Sequence, residues 1–342
     1  MAAAEVGDDV YGEDPTVNEL ENLAAHMVAK EAGLLVASGT MGNIAAILSH
    51  TSRGDEAIVG IDSHTFNSEA GGMSTIAGIV PRPLMTDDIG RMDISQIKKA
   101  IRSDDPHYPR SKLILLENSY GKRYGAPQPP EYFNKVRKVA GDRGLSTHLD
   151  GARIFNASVA LDIDVTEITR HVDSVSFCLS KGLCAPIGSL LCGSEAMIYQ
   201  ARRARKVLGG GMRQAGIIAS AGIIALNEMV SRLADDHRNA RYLAQKLAKI
   251  PEMQIEVKKV RTNIVFFELS PDIPYGAQEV VDELWRFHNI RFDIAGHRRF
   301  RALTHYWVGE QEVDLLIDAL IKTLSRLSSK EGNKHPGGVR TS

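Results

Sequence analysis

The sequence predicts an α/β fold: a large domain on a mainly parallel sheet, followed by a smaller α+β domain. Two observations carry this reading. Short β-like runs at 58–61, 112–117, 145–149, 172–179 and 188–192 alternate with helical patterns, and strands separated by helices return in the same direction to build a mainly parallel sheet. From Gln214 to about Lys249 the pattern is continuously helical, after which runs at 253–257, 263–268 and 292–295 read as strands and 275–287 as a helix. The large domain is placed at 1–230 and the small one at 231–328, joined through the long helix.

In chain order, residues 16–32 carry Val17, Leu20, Leu23, Ala24, Met27 and Val28 at helical spacing, and Gly33 is expected to end that helix. Leu34-Leu35-Val36 reads as a strand, Ser38 to Asn43 as a turn, and Ile44 to Leu48 as the body of the next helix. A last helix over 311–325 presents Val313, Leu315, Leu316, Ala319, Leu320 and Leu324 on its apolar side. The polar, Gly/Pro-containing tail at 329–342 is expected to be disordered. No internal repeat interrupts this order.

Composition narrows the function classes. A length of 342 residues can bury one large core and a second smaller one. A formal net charge of −1 leaves no electrostatic footprint for nucleic acid or an anionic membrane, so the basic run 202–206 needs a local explanation. Cys178, Cys184 and Cys192 have no CxxC spacing and are odd in number, which supports neither a disulfide framework nor a metal site and fits a reducing cytosol. No apolar run is expected to reach the ~18 residues of a spanning helix, and the start lacks a signal-peptide pattern.

Two local words point to chemistry. Lys181 closes the apolar run Val-Ser-Phe-Cys-Leu-Ser, and Asp150 closes an earlier β-like run by about one βα unit. Alone, Lys181 reads as a solvated loop lysine and Asp150 as a helix cap. Together, at strand ends where ligands of such sheets bind, they match what pyridoxal phosphate (PLP) requires: an amine to hold the aldehyde and a carboxylate to keep the pyridine nitrogen protonated. Ser38-Gly39-Thr40, between a strand and a helix, suits the phosphate, since a helix N-terminus presents N–H donors to an anion. Arg213, in the Gly209-Gly210-Gly211 turn, is a second anion candidate. An amino-acid carboxylate would need an arginine fork, and Arg153 and Arg301 are the candidates.

The words around these residues resemble the low-specificity L-threonine aldolases. The motifs are His-Leu-Asp-Gly-Ala-Arg-Ile-Phe-Asn-Ala at 148–157, Cys-Leu-Ser-Lys-Gly-Leu at 178–183 and Leu-Gly-Gly-Gly-Met-Arg-Gln-Ala-Gly at 208–216. Val-Gly-Asp-Asp-Val-Tyr-Gly-Glu-Asp-Pro-Thr-Val at 6–17, Ser-Gly-Thr-Met-Gly-Asn at 38–43 and Arg-Ala-Leu-Thr-His at 301–305 complete the set, in the family's order. The resemblance implies the fold-type-I PLP transferase architecture, similar to aspartate aminotransferase. It implies retro-aldol cleavage of L-threonine or L-allo-threonine to glycine and acetaldehyde, and assembly as a dimer of dimers. Within it, Lys181 bonds the cofactor, Asp150 meets its ring nitrogen, and His64 stacks on the ring. His64, or a water held by it and Glu69, is the expected base. Related readings are β-elimination, action on bulkier substrates such as phenylserine, and an inactive PLP-binding assembly partner.

Three departures from the family pattern carry expectations. Met1 to Val6 run directly into the Gly-Asp-Asp-Val-Tyr motif, where the family has a further segment with an Arg-Ser-Asp-Thr-Val-Thr-like run, so reduced activity is expected. Glu117-Asn118-Ser119-Tyr120-Gly121 stands where the family often has Glu-Asn-Thr-His-Asn, making Tyr120 the expected group near the substrate's β-substituent. Cys184 replaces a common glycine and is expected to be a small buried residue.

Overall fold

The computed structural model describes residues 1–332. It divides into two units, Met1–Ala234 and a second beginning at Asp235, against the expected boundary after residue 230. The strands are β1 (Ala32–Val36), β2 (Glu56–Gly60), β3 (Val80–Leu84), β4 (Ser111–Glu117), β5 (Ser146–Asp150), β6 (Ser174–Cys178), β7 (Ser189–Gly193), β8 (Met253–Gln254), β9 (Ile264–Leu269), β10 (Asp293–Gly296) and β11 (Arg299–Leu303). The α-helices are α1 (Pro15–Met27), α2 (Gly39–His50), α3 (His64–Asn67), α4 (Gly72–Thr75), α5 (Ile94–Ala100), α6 (Pro130–Gly141), α7 (Ile154–Leu161), α8 (Thr166–Thr169), α9 (Glu195–Val207), α10 (Gly216–Leu247), α11 (Ala277–His288) and α12 (Glu310–Gly332).

The large unit is a seven-stranded sheet in the order β1-β7-β6-β5-β4-β2-β3. The run β6-β5-β4-β2-β3 is parallel, and β7 is antiparallel to both β6 and β1. Strands β2 and β6 are buried at every position, as expected for a sheet covered by helices on both faces. The small unit holds the antiparallel sheet β10-β11-β9-β8, with a separate core that includes Phe267, Phe300, Leu284 and Leu320.

Several boundaries differ from expectation, each for a local reason. Helix α1 stops at Met27 rather than 32, because Ala29 takes a left-handed φ of 49° and turns the chain into β1. Strand β3, Val-Pro-Arg-Pro-Leu, was not expected, and two prolines are tolerated because it is the sheet edge. Strand β11 was also unforeseen; only Phe300 and Ala302 face the core, and the arginines between them hide the alternation. The run at 253–257 shortens to Met253–Gln254 followed by a 3-10 turn at Val257–Lys259. Residues 329–332, expected to be disordered, continue α12, and the remainder of that tail lies outside the described residues.

Helix α10 corrects the expectation about apolar runs: by length and composition it is sufficient to cross a membrane, with a mean hydropathy of 1.4 over eighteen residues. Core packing accounts for only part of that composition, since 28% of the window is buried. Ala219, Ala225, Leu226 and Leu233 join the core of the large unit, whereas Ile217 and Ile224 on other faces are exposed.

Candidate active site

The carboxyl ends of the central strands gather the polar residues of the large unit. Glu117 ends β4 and pairs in register with Asp150, which ends β5; Asp150 in turn pairs with Ser176 of β6, just upstream of Lys181. His64 begins α3, beyond the end of β2. Facing them, Ser38 caps α2 by accepting a hydrogen bond from Met41 N at 3.2 Å, and Gly39 and Thr40 form the first turn, whose N–H groups have no intrahelical acceptor. A Cβ at Gly39 would lie 3.0 Å from Cys178 Sγ, so the helix start is seated against the end of β6. The placement unites the phosphate-type turn with the strand ends that carry Asp150 and lead to Lys181.

The side chain that ties this cluster together is Asn43, the last residue of the Ser-Gly-Thr-Met-Gly-Asn run, with no role expected from the sequence. Its amide nitrogen donates to Asp150 Oδ2 at 2.9 Å and to Glu69 Oε1 at 2.8 Å. Asp150 Oδ1 accepts from Ala152 N at 3.0 Å. Glu69 Oε1 also meets His64 Nδ1 at 3.0 Å. That hydrogen bond raises the pKa of His64 above the ordinary imidazole value, while burial raises that of Glu69. His64, Glu69 and Asp150 could by distance hold a cation, but the Asn43 donor bonded to both carboxylates suits a purely hydrogen-bonded cluster better.

Glu117, a second residue without a sequence-based role, is buried and accepts from His64 N at 2.8 Å and Gly121 N at 2.7 Å. Burial, reinforced by the Asp150 charge, pushes it up to about 7. Tyr120 is placed differently from its expected role. It is 1% exposed, its N–H bonds Ala126 O at 3.0 Å, and its ring lies so close beneath Gly90 that a Cβ there would meet it at 2.2 Å. Burial raises its phenol above the ordinary tyrosine value. This packing argues against Tyr120 as the group facing the substrate's β-substituent.

The remaining candidates fall into separate surroundings. Arg153 precedes α7 as its N-cap and is half-buried. Arg213 bonds Asp8 Oδ2 at 2.6 Å and sits over the Tyr11 ring; a Cβ at neighbouring Gly210 would meet Met41 Sδ at 2.3 Å, so this turn packs on the first turn of α2. The basic run 202–206 finds its local explanation there: Arg205 is buried against Asp9 at 2.8 Å and Leu35 O at 2.8 Å, and Arg202 pairs with Glu21 at 2.7 Å. Arg301, on β11 of the small unit, pairs with Asp293 at 3.1 Å and lines a cavity of about 680 Å³ with His305 and Leu316. Cys184 is exposed rather than buried, with a left-handed φ of 61°, which explains why glycine suits the position.

The residues present fit PLP. The glycine-bearing helix start offers a phosphate cradle that a side chain at Gly39 would crowd, and Asp150 is a carboxylate oriented by N–H donors one strand from the Lys181 turn.

Comparison with known proteins agrees. A family model described as "Beta-eliminating lyase" matches residues 1–270. The chain is 43% identical over 325 residues to a probable low-specificity L-threonine aldolase 2 of Arabidopsis thaliana, covering 94% of this chain and 91% of that protein. It is 44% identical over 272 residues to the low specificity L-threonine aldolase of Escherichia coli (strain K12), covering 80% of each. The fold is shared with a solved structure of Leishmania major threonine aldolase, with a TM-score of 0.77 at 18% identity over 94% of this chain and 92% of that one. With its mostly parallel sheet and the strand-end cluster of Asp150, Asn43 and His64, the chain belongs to the beta-eliminating lyases, the PLP-dependent fold-type-I family that includes the low-specificity L-threonine aldolases.

Proposed function

We propose that this chain is an aldehyde-lyase that cleaves L-threonine or L-allo-threonine to glycine and acetaldehyde. The observation that carries the reading is the Asp150–Asn43–Glu69–His64 cluster at the strand ends, beside a helix start suited to phosphate. When bound, PLP supplies the electron sink for the bond that breaks at Cα. Lys181 Nζ would hold the cofactor covalently, Asp150 would keep its ring nitrogen protonated, and His64 is the side chain assigned to its ring. Ser38, Gly39 and Thr40 hold the phosphate, with Arg213 as the second anion partner.

The substrate's carboxylate is assigned to an arginine fork that fixes its orientation, with Arg153 of the large unit and Arg301 of the small unit each a candidate for it. That orientation matters because it would decide which bond at Cα is aligned with the electron sink and so breaks. His64 accepts the β-hydroxyl proton at Nε2, directly or through a water, while Glu69 holds Nδ1. Tyr120 is assigned to packing, in line with its burial.

Association with a second copy, extended to a dimer of dimers, is carried over from the family the chain resembles. Three free cysteines support a cytosolic setting. The experiment is direct: purified, PLP-loaded protein is given L-threonine, L-allo-threonine and phenylserine, and aldehyde, glycine and ammonia are measured. Aldehyde with glycine supports the aldolase; ammonia without aldehyde identifies β-elimination; neither product, with PLP bound, identifies an inactive homologue.

A further inference from the structure

Behind the two carboxylates runs a chain of buried hydrogen bonds that the roles above leave unused. Asn43 Oδ1 lies 2.7 Å from Ser176 Oγ and 3.1 Å from His148 Nε2. His148 Nδ1 lies 2.8 Å from Ser174 Oγ, which is itself 2.8 Å from His50 Nε2. Asn43, His148, Ser174 and Ser176 are all buried.

The carboxylate end fixes the direction of every bond. The Asn43 amide nitrogen donates to both Glu69 Oε1 and Asp150 Oδ2, so both its N–H bonds are used there and its oxygen faces the other way. Ser176 and His148 Nε2 must therefore donate to that oxygen. Burial pushes His148 down to about 3, leaving one ring proton at neutral pH. With that proton on Nε2, Nδ1 accepts from the Ser174 hydroxyl, and the Ser174 oxygen accepts from His50 Nε2–H. A flipped amide would set its oxygen against two carboxylate oxygens, a repulsion that neither rotation of the Ser176 hydroxyl nor a change of His148 tautomer relieves.

From this geometry we infer that Asn43 is a positioning residue for both ends of the site, aiming Asp150 and Glu69 together, and that His148, as the neutral Nε2–H tautomer, locks the orientation of the Asn43 amide. The inference rests on the roles given above to Asp150 and His64. The chain is not a proton path, because an amide does not take up and pass on a proton near neutrality; its effect is on placement.

The test begins with the ligand-free full-length protein labelled with ¹⁵N in the histidine rings. His148 is expected to show the Nε2–H tautomer and no titration from about pH 5 to about pH 9. PLP affinity is then titrated by absorbance. Asn43→Asp keeps the shape but removes both donors, and since a hydrogen bond to a charged group is worth on the order of tenfold or more, affinity should fall at least about tenfold. His148→Phe should lose several-fold, whereas His148→Gln, whose amide can donate in place of Nε2–H, should stay within about threefold of wild type. An Nδ1–H tautomer, a titrating His148, or Asn43→Asp binding PLP as wild type does would overturn the inference. If Asn43→Asp does not fold, the contrast between His148→Phe and His148→Gln decides. Failure of the wild type to bind PLP would instead refute the cofactor roles, and the tautomer measurement would still judge the network.

Discussion

His64 Nδ1 stands 3.0 Å from Glu69 Oε1, and this contact determines when the proposed base is available. The Glu69 hydrogen bond raises the His64 pKa above 6.5, so Nε2 becomes free to accept a proton only at higher pH than for an isolated imidazole. The acidic limb of kcat/KM for L-threonine should therefore titrate above 6.5. In Glu69→Gln the raising partner is gone, and the limb should move to lower pH while the maximal rate falls. A limb that stays put in the variant removes His64 from the role of base.

Lys181 is assigned the covalent hold on the cofactor. Lys181→Ala should lose the visible band of lysine-bound PLP and its aldolase activity, while unfolding at a temperature close to wild type, because the side chain leaves a loop and not the core. An unchanged spectrum would place the anchoring lysine elsewhere.

These two assignments illustrate what was legible in the sequence. The strand-end positions of Asp150 and Lys181 could be read because each sits in a short local word at a strand end, and the parallel sheet brings strand ends together. Asn43 was harder: its carboxylate partner Asp150 is 107 residues away in the chain. The available signal was a polar side chain entering the apolar stretch Ile44-Ala45-Ala46-Ile47, and likewise His148 between Thr147 and Leu149 in a buried strand. Tyr120 illustrates the opposite failure. Its hydrogen-bonding tip suggested a substrate contact, yet the turn that pairs Tyr120 with Ala126 carries the ring inward under Gly90. Arg301 is legible in its Arg-Ala-Leu-Thr-His motif, but its strand is not, because arginines flank each buried residue.

Arg301 pairs with exposed Asp293 in the small unit, and an incoming carboxylate would compete for the same guanidinium. Arg301→Ala should leave PLP bound but lower kcat/KM, since losing a forked charged contact costs about 2–4 kcal/mol, roughly thirty- to a thousandfold. Asp293→Asn should change KM by less than about fivefold, because exposed ion pairs are weak. Steady-state kinetics of both variants test the assignment, and near-wild-type behaviour of Arg301→Ala would remove it.

Glu117 offers a test that needs neither substrate nor cofactor. Burial raises its folded pKa from 4.5 to about 7, so folding favours the protonated acid. The stability this contributes is fully present below pH 4.5 and is lost as pH rises through about 7. Glu117→Gln does not ionise, so its stability should lack that decline. The wild type should therefore compare best with the variant near pH 4.5 and lose ground up to about pH 7, by on the order of 3 kcal/mol or less. Other buried acids such as Glu21 and Glu69 titrate in both proteins and largely cancel in the difference. Thermal unfolding of the two ligand-free proteins across this range provides the measurement. A constant difference in Tm would mean that Glu117 is already ionised at low pH, and that its bonds from His64 N and Gly121 N outweigh its burial.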